Sequence, residues 1–296
     1  MSDVVIVGAK RTAIGSFLGQ FTGVPTPQLG VAAITGALEQ AGIAPDQVQE
    51  VIMGCVLPAG LGQAPARQAA LGAGLPDSAA CTTINKVCGS GMKAVMLGHD
   101  MIKAGSASVV VAGGMESMTN APHLLNNSRT GIRYGSTEML DHMAHDGLTN
   151  PYDGKAMGVF GDTTCNTYGF DREALDAFSA ESVNRAKKAQ ADGAFKDEIV
   201  PVTVKTRKGE VVVDTDEHPR RDTLAPAVTS LHTARAICLD GLPAGVVAER
   251  AAHGSQMKKP GGRGRYQRRR EYISSSDCGA WPCGAASRSG CRADRW

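Results

Sequence analysis

The stretch Ile84-Asn-Lys-Val-Cys88-Gly-Ser-Gly-Met92-Lys-Ala-Val95 decides how the rest of this 296-residue chain is read. Cys81-Thr-Thr-Ile84 has strand character, three small residues follow Cys88, and Met92, Val95, Met96 and Ile102 then recur at helical spacing. The pattern predicts strand, tight turn and helix, with one thiol at the junction. The glycines permit close backbone approach and strained dihedrals. A sulfur at the first turn of a helix feels the positive end of the macrodipole, which favours thiolate over thiol. That is the form an acyl-accepting nucleophile needs. Taken alone, the same cysteine would read as a small buried hydrophobe, the usual fate of a free thiol.

The residues around it choose between the two. Ile84-Asn85-x-x-Cys88-Gly89-Ser90-Gly91-Met92-x-Ala94-Val95 resembles the acyl-enzyme signature of the thiolase family, the acetyl-CoA acetyltransferases and 3-ketoacyl-CoA thiolases. Arg11-Thr-Ala-x-Gly15, Gln63-x-Pro-Ala-Arg67-Gln68-Ala-Ala and Ala112-Gly-Gly-Met-Glu116-Ser-Met extend the resemblance, which runs from residue 1 to about 222.

Elsewhere the pattern predicts an α/β fold. A run from Asp3 to Val7 reads as a strand buried on both faces. A helix is expected over Gln28–Gly42, with Val31, Ile34, Leu38 and Ala41 as its apolar stripe. Further strands are expected at Val51–Leu57 and Ser108–Ala112, with a short helix at Ala64–Leu71. Strands alternating with helices imply a parallel sheet covered on both faces, with chemistry at the carboxyl ends of the strands, where Cys88 falls. Between Thr119 and Tyr168 the periodicity fades, which marks a functional insertion. Asp171 is expected to cap a helix to Ala191, with Leu175, Phe178, Val183 and Ala186 as a buried stripe. A hairpin is expected from Ile199–Val204 through a turn at 207–210 into Val211–Val213.

The resemblance implies three parts: a catalytic-cysteine domain over 1–118, a loop domain that covers coenzyme A over 119–222, and a non-family tail over 223–296. On this reading the fold is a thiolase-like parallel-type sheet with helices on both faces and an inserted α+β loop domain, without the family's second half. Leu148 and Met157 would line the pantetheine channel and Arg220 would face the nucleotide phosphate. Beside Met157 this chain has Ala156, where some members of the family carry a histidine. The resemblance also implies an acyl-CoA and CoA as partners, assembly into dimers or tetramers, and no cofactor beyond the CoA thioester that serves as substrate.

The tail differs in composition. Residues 223–296 hold 12 Lys and Arg against 5 Asp and Glu, and Gly261–Trp296 is rich in Arg, Gly, Ser and Cys without a period. A shifted reading frame near residue 222 is one hypothesis for it. Nucleotide sequence across that codon tests it, and absence of a Gly-His-Pro motif in the other frames would sink it. The cluster Arg263–Arg270 with Tyr266 and Tyr272 is too little for a nucleic-acid module. Cys278, Cys283 and Cys291 lack zinc-ligand spacing. Disorder is the expectation for this segment. No apolar run reaches membrane-spanning length, no secretory leader is legible, and eight scattered cysteines fit reduced thiols, so the expected setting is cytoplasmic.

In the thiolase scheme, a histidine in a Gly-His-Pro turn activates the cysteine and a second cysteine handles the α-proton. Neither motif occurs here. His218 precedes a proline but lies in a polar hairpin exit. His99 is more than three turns along the helix from the thiol. His123, His142 and His145 are expected to face CoA or solvent, and Cys55, Cys81 and Cys165 to be structural. Two readings follow: a thiolase-type acyltransferase forming an acyl-enzyme on Cys88, or a catalytically incomplete fragment of one. A decarboxylating ketoacyl synthase is disfavoured by the Asn85 and Glu116 motifs. A nicotinamide-binding domain is disfavoured because no Gly-x-Gly-x-x-Gly follows the first strand.

Overall fold

The computed structural model describes residues 3–219 and the strand 246–250. Five strands form the main sheet: β1 (Val4–Ala9), β3 (Glu50–Gly54), β4 (Ala80–Ile84), β5 (Val109–Gly114) and β11 (Val246–Arg250), in the order β1-β11-β5-β3-β4. A short strand, β2 (Arg11–Thr12), follows β1. The register pairs β3 in parallel with both β4 and β5, from Val51 opposite Cys81 and Val111 to Gly54 opposite Ile84 and Gly114.

Strand alternation sends neighbouring side chains to opposite faces, and both faces are covered. Val51, Met53, Val109 and Val111 meet Ala33, Ile34, Ala37 and Leu38 of α1 (Thr26–Ala41) and Ala66, Ala69 and Ala70 of α2 (Pro65–Gly72). Ile52, Val110 and Ala112 meet Ala94 and Ile102 of α3 (Ser90–Ala104). α1 ends where the pattern predicts, with Gly42 in the left-handed region at φ 65° closing the helix by hydrogen bonds to Glu39 and Leu38.

Three expectations are corrected. The first strand is not buried on both faces. β1 is the outer strand of the sheet, and Ile6 is 61% exposed. The sheet is parallel across β5, β3 and β4 as expected, but β11 inserts antiparallel between β1 and β5, pairing Ala248 with Ile6 on one side and Val110 on the other. That strand falls inside 223–296, where disorder or a shifted reading frame was expected; the rest of the tail lies outside the described residues. The hairpin, finally, starts later than expected and turns more tightly, formed by β9 (Val202–Thr206) and β10 (Gly209–Val213). Ile199–Val200 instead form β8 and pair in parallel with β2.

After β5 the chain forms β6 (His123–Leu124) paired with β7 (Leu140–Asp141), a π-helical turn at Met143–Leu148, α4 (Met157–Tyr168) and α5 (Arg172–Ala191). Asp171 caps α5 as predicted, accepting a hydrogen bond from Ala174 N at 2.8 Å. The expected buried stripe is not covered: neither α4 nor α5 has a fully buried residue, and Phe178 is 68% exposed. Arg11 ties this half to the first strands. Its guanidinium makes a bidentate pair with Asp216 at 2.6 and 2.8 Å and a further bond to Glu198 at 2.7 Å. Asp216 also accepts from Ile14 N. The Arg11-Thr-Ala-x-Gly15 motif is thereby explained as an anchor for residues 214–217.

Candidate active site

Cys88 lies where β4 hands over to α3, one residue before the cap Gly89, and its side chain is exposed. Local hydrogen bonds build the turn. Asn85 Oδ1 accepts from Val87 N at 2.8 Å, and Ser90 Oγ accepts from Lys86 N at 2.8 Å while donating to Val87 O. Gly89 N and Ser90 N complete it through Lys86 O and Val87 O.

The strain in this turn falls elsewhere than expected. Val87, a β-branched residue, has φ 48°, whereas Gly89 sits at φ −87°. A left-handed valine is a genuine outlier and costs about 1–3 kcal/mol, which the surrounding bonds must sustain. The glycines serve a different purpose. A Cβ on Gly54 would lie 2.5 Å from Ser90 Cβ and 2.9 Å from Gly91 N, and one on Gly114 would lie 3.3 Å from Gly91 Cα. The carboxyl ends of β3 and β5 thus press directly on the first turn of α3.

Glu116 closes the same corner from the far side. Its Oε2 accepts from Val56 N at 2.7 Å, and its Oε1 accepts from Leu57 N at 3.1 Å and from the Cys55 thiol. Burial pushes the Glu116 carboxyl above the ordinary carboxylate range, although the two amides draw it down. Burial, with Glu116 beside it, also pushes the Cys55 thiol up to about 12, so Cys55 is inert at neutral pH, as a structural cysteine should be.

Leu148 and Met157 flank an isolated antiparallel bridge between Thr149 and Ala156, their respective chain neighbours. Leu148 is half-buried at the end of the π-helical turn, and Met157 is exposed at the first position of α4. Arg220 lies outside the described residues.

Of the histidines, His123 and His145 are exposed, the latter paired with Asp146. His142 is a correction. It does not face solvent: it is 5% exposed, bonded through Nδ1 to Asp146 and through Nε2 to the N–H of Ala59. Hydrogen bonding from His145, reinforced by His142, holds the Asp146 carboxyl below its usual range. Sequence reasoning missed three features: the strain at Val87, the clamp at Glu116 and the buried His142. Only Glu116 had a legible signal, a carboxylate two residues after a wholly apolar strand. Among the described residues no group of three His, Cys, Asp or Glu could hold a metal ion, and no helix is long and apolar enough to cross a membrane.

Comparison with known proteins places this geometry. The chain is 47% identical over 269 residues to the acetyl-CoA acetyltransferase of Cupriavidus necator, covering 88% of this chain and 68% of that one. It is 49% identical over 235 residues to the Pseudomonas aeruginosa protein of the same name, covering 79% and 60%. With the Schizosaccharomyces pombe acetyl-CoA acetyltransferase it shares 50% identity over 221 residues, 74% of this chain and 56% of that one. The matched part of the chain therefore spans little more than half to two thirds of these relatives' length. The family profile described as thiolase, N-terminal domain, matches residues 4–237, about fifteen residues beyond the limit of the legible motifs. A strained cysteine turn on a sheet covered by helices on both faces and this extent of matched sequence lead to one placement: the chain belongs to the thiolase family, through that family's N-terminal domain.

Proposed function

We propose that this chain carries out the acyl-accepting step of a thiolase. The thiolate of Cys88 attacks the thioester carbonyl of acetyl-CoA or a 3-ketoacyl-CoA. The tetrahedral intermediate collapses with loss of CoA thiolate, or of the acetyl-CoA enolate from a ketoacyl substrate, and the acyl group stays on sulfur as a new thioester. A second substrate, CoA or the acetyl-CoA enolate, then removes it. Coenzyme A enters as a substrate, and the scheme invokes no other cofactor.

The observation that carries this reading is the exposed Cys88, presented by a strained turn at the N-terminus of α3 and at the carboxyl ends of the strands. The backbone N–H of Cys88 would supply one donor for the oxyanion. The bridge between Thr149 and Ala156, the neighbours of Leu148 and Met157, supports assigning those two residues to one pantetheine channel. Arg220 as phosphate contact, the division at 118 and 222, cytoplasmic residence and assembly into dimers or tetramers belong to the same proposal.

A second reading has its own support. The sequence contains no Gly-His-Pro turn, so the chain by itself accepts an acyl group without turning it over. Removal of one member of a cooperative catalytic set costs orders of magnitude in rate. Two measurements separate the possibilities. Acid-quenched incubation with acetyl-CoA, followed by peptide mass spectrometry, is expected to find one acetyl group on Cys88; an unmodified Cys88 would sink the acyl-accepting role. Thiolysis of acetoacetyl-CoA by added CoA at rates ordinary for an enzyme would sink the incomplete reading.

A further inference from the structure

The proposed chemistry uses one sulfur and leaves a half-buried carboxylate unexplained. Glu116 follows β5, and its oxygens accept the backbone N–H groups of two successive residues, Val56 and Leu57, just past β3. The backbone bond from Met115 N to Gly54 O, at 2.9 Å, continues the β3–β5 pairing up to that clamp. A neutral side chain cannot do this as well, because only a carboxylate offers two acceptor oxygens to two donors at once.

The clamped residues face the nucleophile turn. Cys55 N donates to Ile84 O at 3.0 Å, and Val56 O accepts from Asn85 Nδ2 at 3.5 Å. Ile84 and Asn85 are the last residues before the strained turn, and Asn85 Oδ1 takes the N–H of Val87 itself. A route of hydrogen bonds therefore leads from Glu116 through residues 55–56 and Asn85 to Val87 and Cys88. The same loop carries Ala59, whose N–H is held by His142 beside the π-helical turn that ends at Leu148.

We propose that Glu116 is a positioning residue for Cys88, fixing residues 55–57 so that Asn85 can hold Val87 in its left-handed conformation and keep the sulfur at the N-terminus of α3. The proposal rests on the acyl-accepting reading and names what sustains it. It also explains how a β-branched residue persists at φ 48°: strained dihedrals survive where surrounding contacts over-determine them.

The test uses the chain's own thiols as internal references. The full chain and its Glu116→Gln variant are labelled with iodoacetamide at pH 7, and adducts are located by peptide mass spectrometry. Cys165 on α4 reports an ordinary thiol outside the network, and buried Cys55 reports general loosening. The expected result is a fall in Cys88 labelling of about twofold to fivefold in Glu116→Gln, the scale of a helix-terminus interaction, with Cys165 constant and Cys55 unlabelled. An unchanged ratio of Cys88 to Cys165 would overturn the proposal, as would a change accompanied by labelling of Cys55. If Glu116→Gln does not fold, Asn85→Ala leaves the clamp intact and must show the same fall; labelling of Cys88 at the wild-type rate there also overturns it. Failure of the acyl-accepting reading is seen separately, in the wild-type chain, as no acetyl transfer to Cys88.

Discussion

The sheet layer around β3 and β5 and the helical pair α4 and α5 both carry large apolar side chains but finish differently. Val51, Met53, Val110 and Val111 are sealed completely between helices. On α4 and α5, Met157, Val159, Tyr168, Phe170 and Phe178 in and beside the helices all remain exposed. Amphipathic spacing states which face of a helix is apolar; it does not state what covers that face. In the sheet layer the partner comes from nearby chain, since α1, α2 and α3 are the crossovers between the very strands they cover. α5 has no such local partner among the described residues and keeps only half-burial for Leu175, Val183 and Ala186.

The widest gap between the two regions should appear on truncation of a large side chain. Met53→Ala removes a fully buried side chain from the main core and is expected to lower stability by about 2–5 kcal/mol in urea unfolding. Phe178→Ala removes a larger side chain from α5 and is expected to change stability by no more than about 0.5 kcal/mol. Equal losses would break the comparison, because Phe178 would then have to be packed in solution.

The junction between the regions comes next. Asp216→Asn removes the charge that pairs with Arg11, whose side chain and that of Asp216 are 11% and 7% exposed. The loss expected at neutral pH is about 1.5–3 kcal/mol, the scale of hydrogen bonds to a charged group. Burial alone would raise the Asp216 carboxyl, but the Arg11 and Ile14 hydrogen bonds outweigh it and hold it below 3.8. A carboxyl held low in the folded state stabilises above its unfolded value and loses that contribution as pH falls through its folded value. The difference between wild type and Asp216→Asn should therefore shrink steadily below about pH 4. Glu116 has the opposite sign: its raised carboxyl makes stability fall as pH climbs from 4.5 toward the folded value.

How much of this was legible follows the same division. The α1, α2 and α3 helices and the strands between them were readable because each apolar stripe meets a neighbour close in sequence, and Gly42 and Asp171 punctuate the chain by local chemistry alone. The position of Cys88 between a strand and a helix was readable because its motif is contiguous. β11 was not, since Val246-Val-Ala is a short signal and its partners are more than a hundred residues away. The exposure of β1 and the burial of His142 escaped for a related reason. A sheet edge, and the pairing of a histidine with Ala59, are properties of the assembled chain. The strain at Val87 could not be read at all, because valine carries no sequence preference for positive φ.

Close packing at the nucleophile gives the next, smaller contrast. Gly54→Ala would drive a methyl group against Ser90 Cβ and Gly91 N, backbone and buried side chain that cannot swing aside. Overpacking of this kind is expected to cost about 1–3 kcal/mol and to displace the first turn of α3, so thermal unfolding and Cys88 labelling should fall together. Unchanged labelling would mean that the turn holds its shape without the β3 contact.

The smallest effect should carry the opposite sign. Gly161 lies inside α4, and a Cβ built there meets nothing within 4 Å. Glycine in a helix interior is destabilising by roughly 0.5–1 kcal/mol relative to alanine, chiefly through the freedom it loses on folding. Gly161→Ala should therefore stabilise the chain by about that amount, provided α4 unfolds together with the sheet layer. If α4 instead opens alone, the melting midpoint of the whole will not move, and the gain will appear only as slower hydrogen exchange across 157–168. Both results fit an exposed α4 face. A loss of stability would not, because it would require a surface packed closely against Gly161, and the exposure of Met157 and Val159 on the same helix would then have to be explained by a partner seated there.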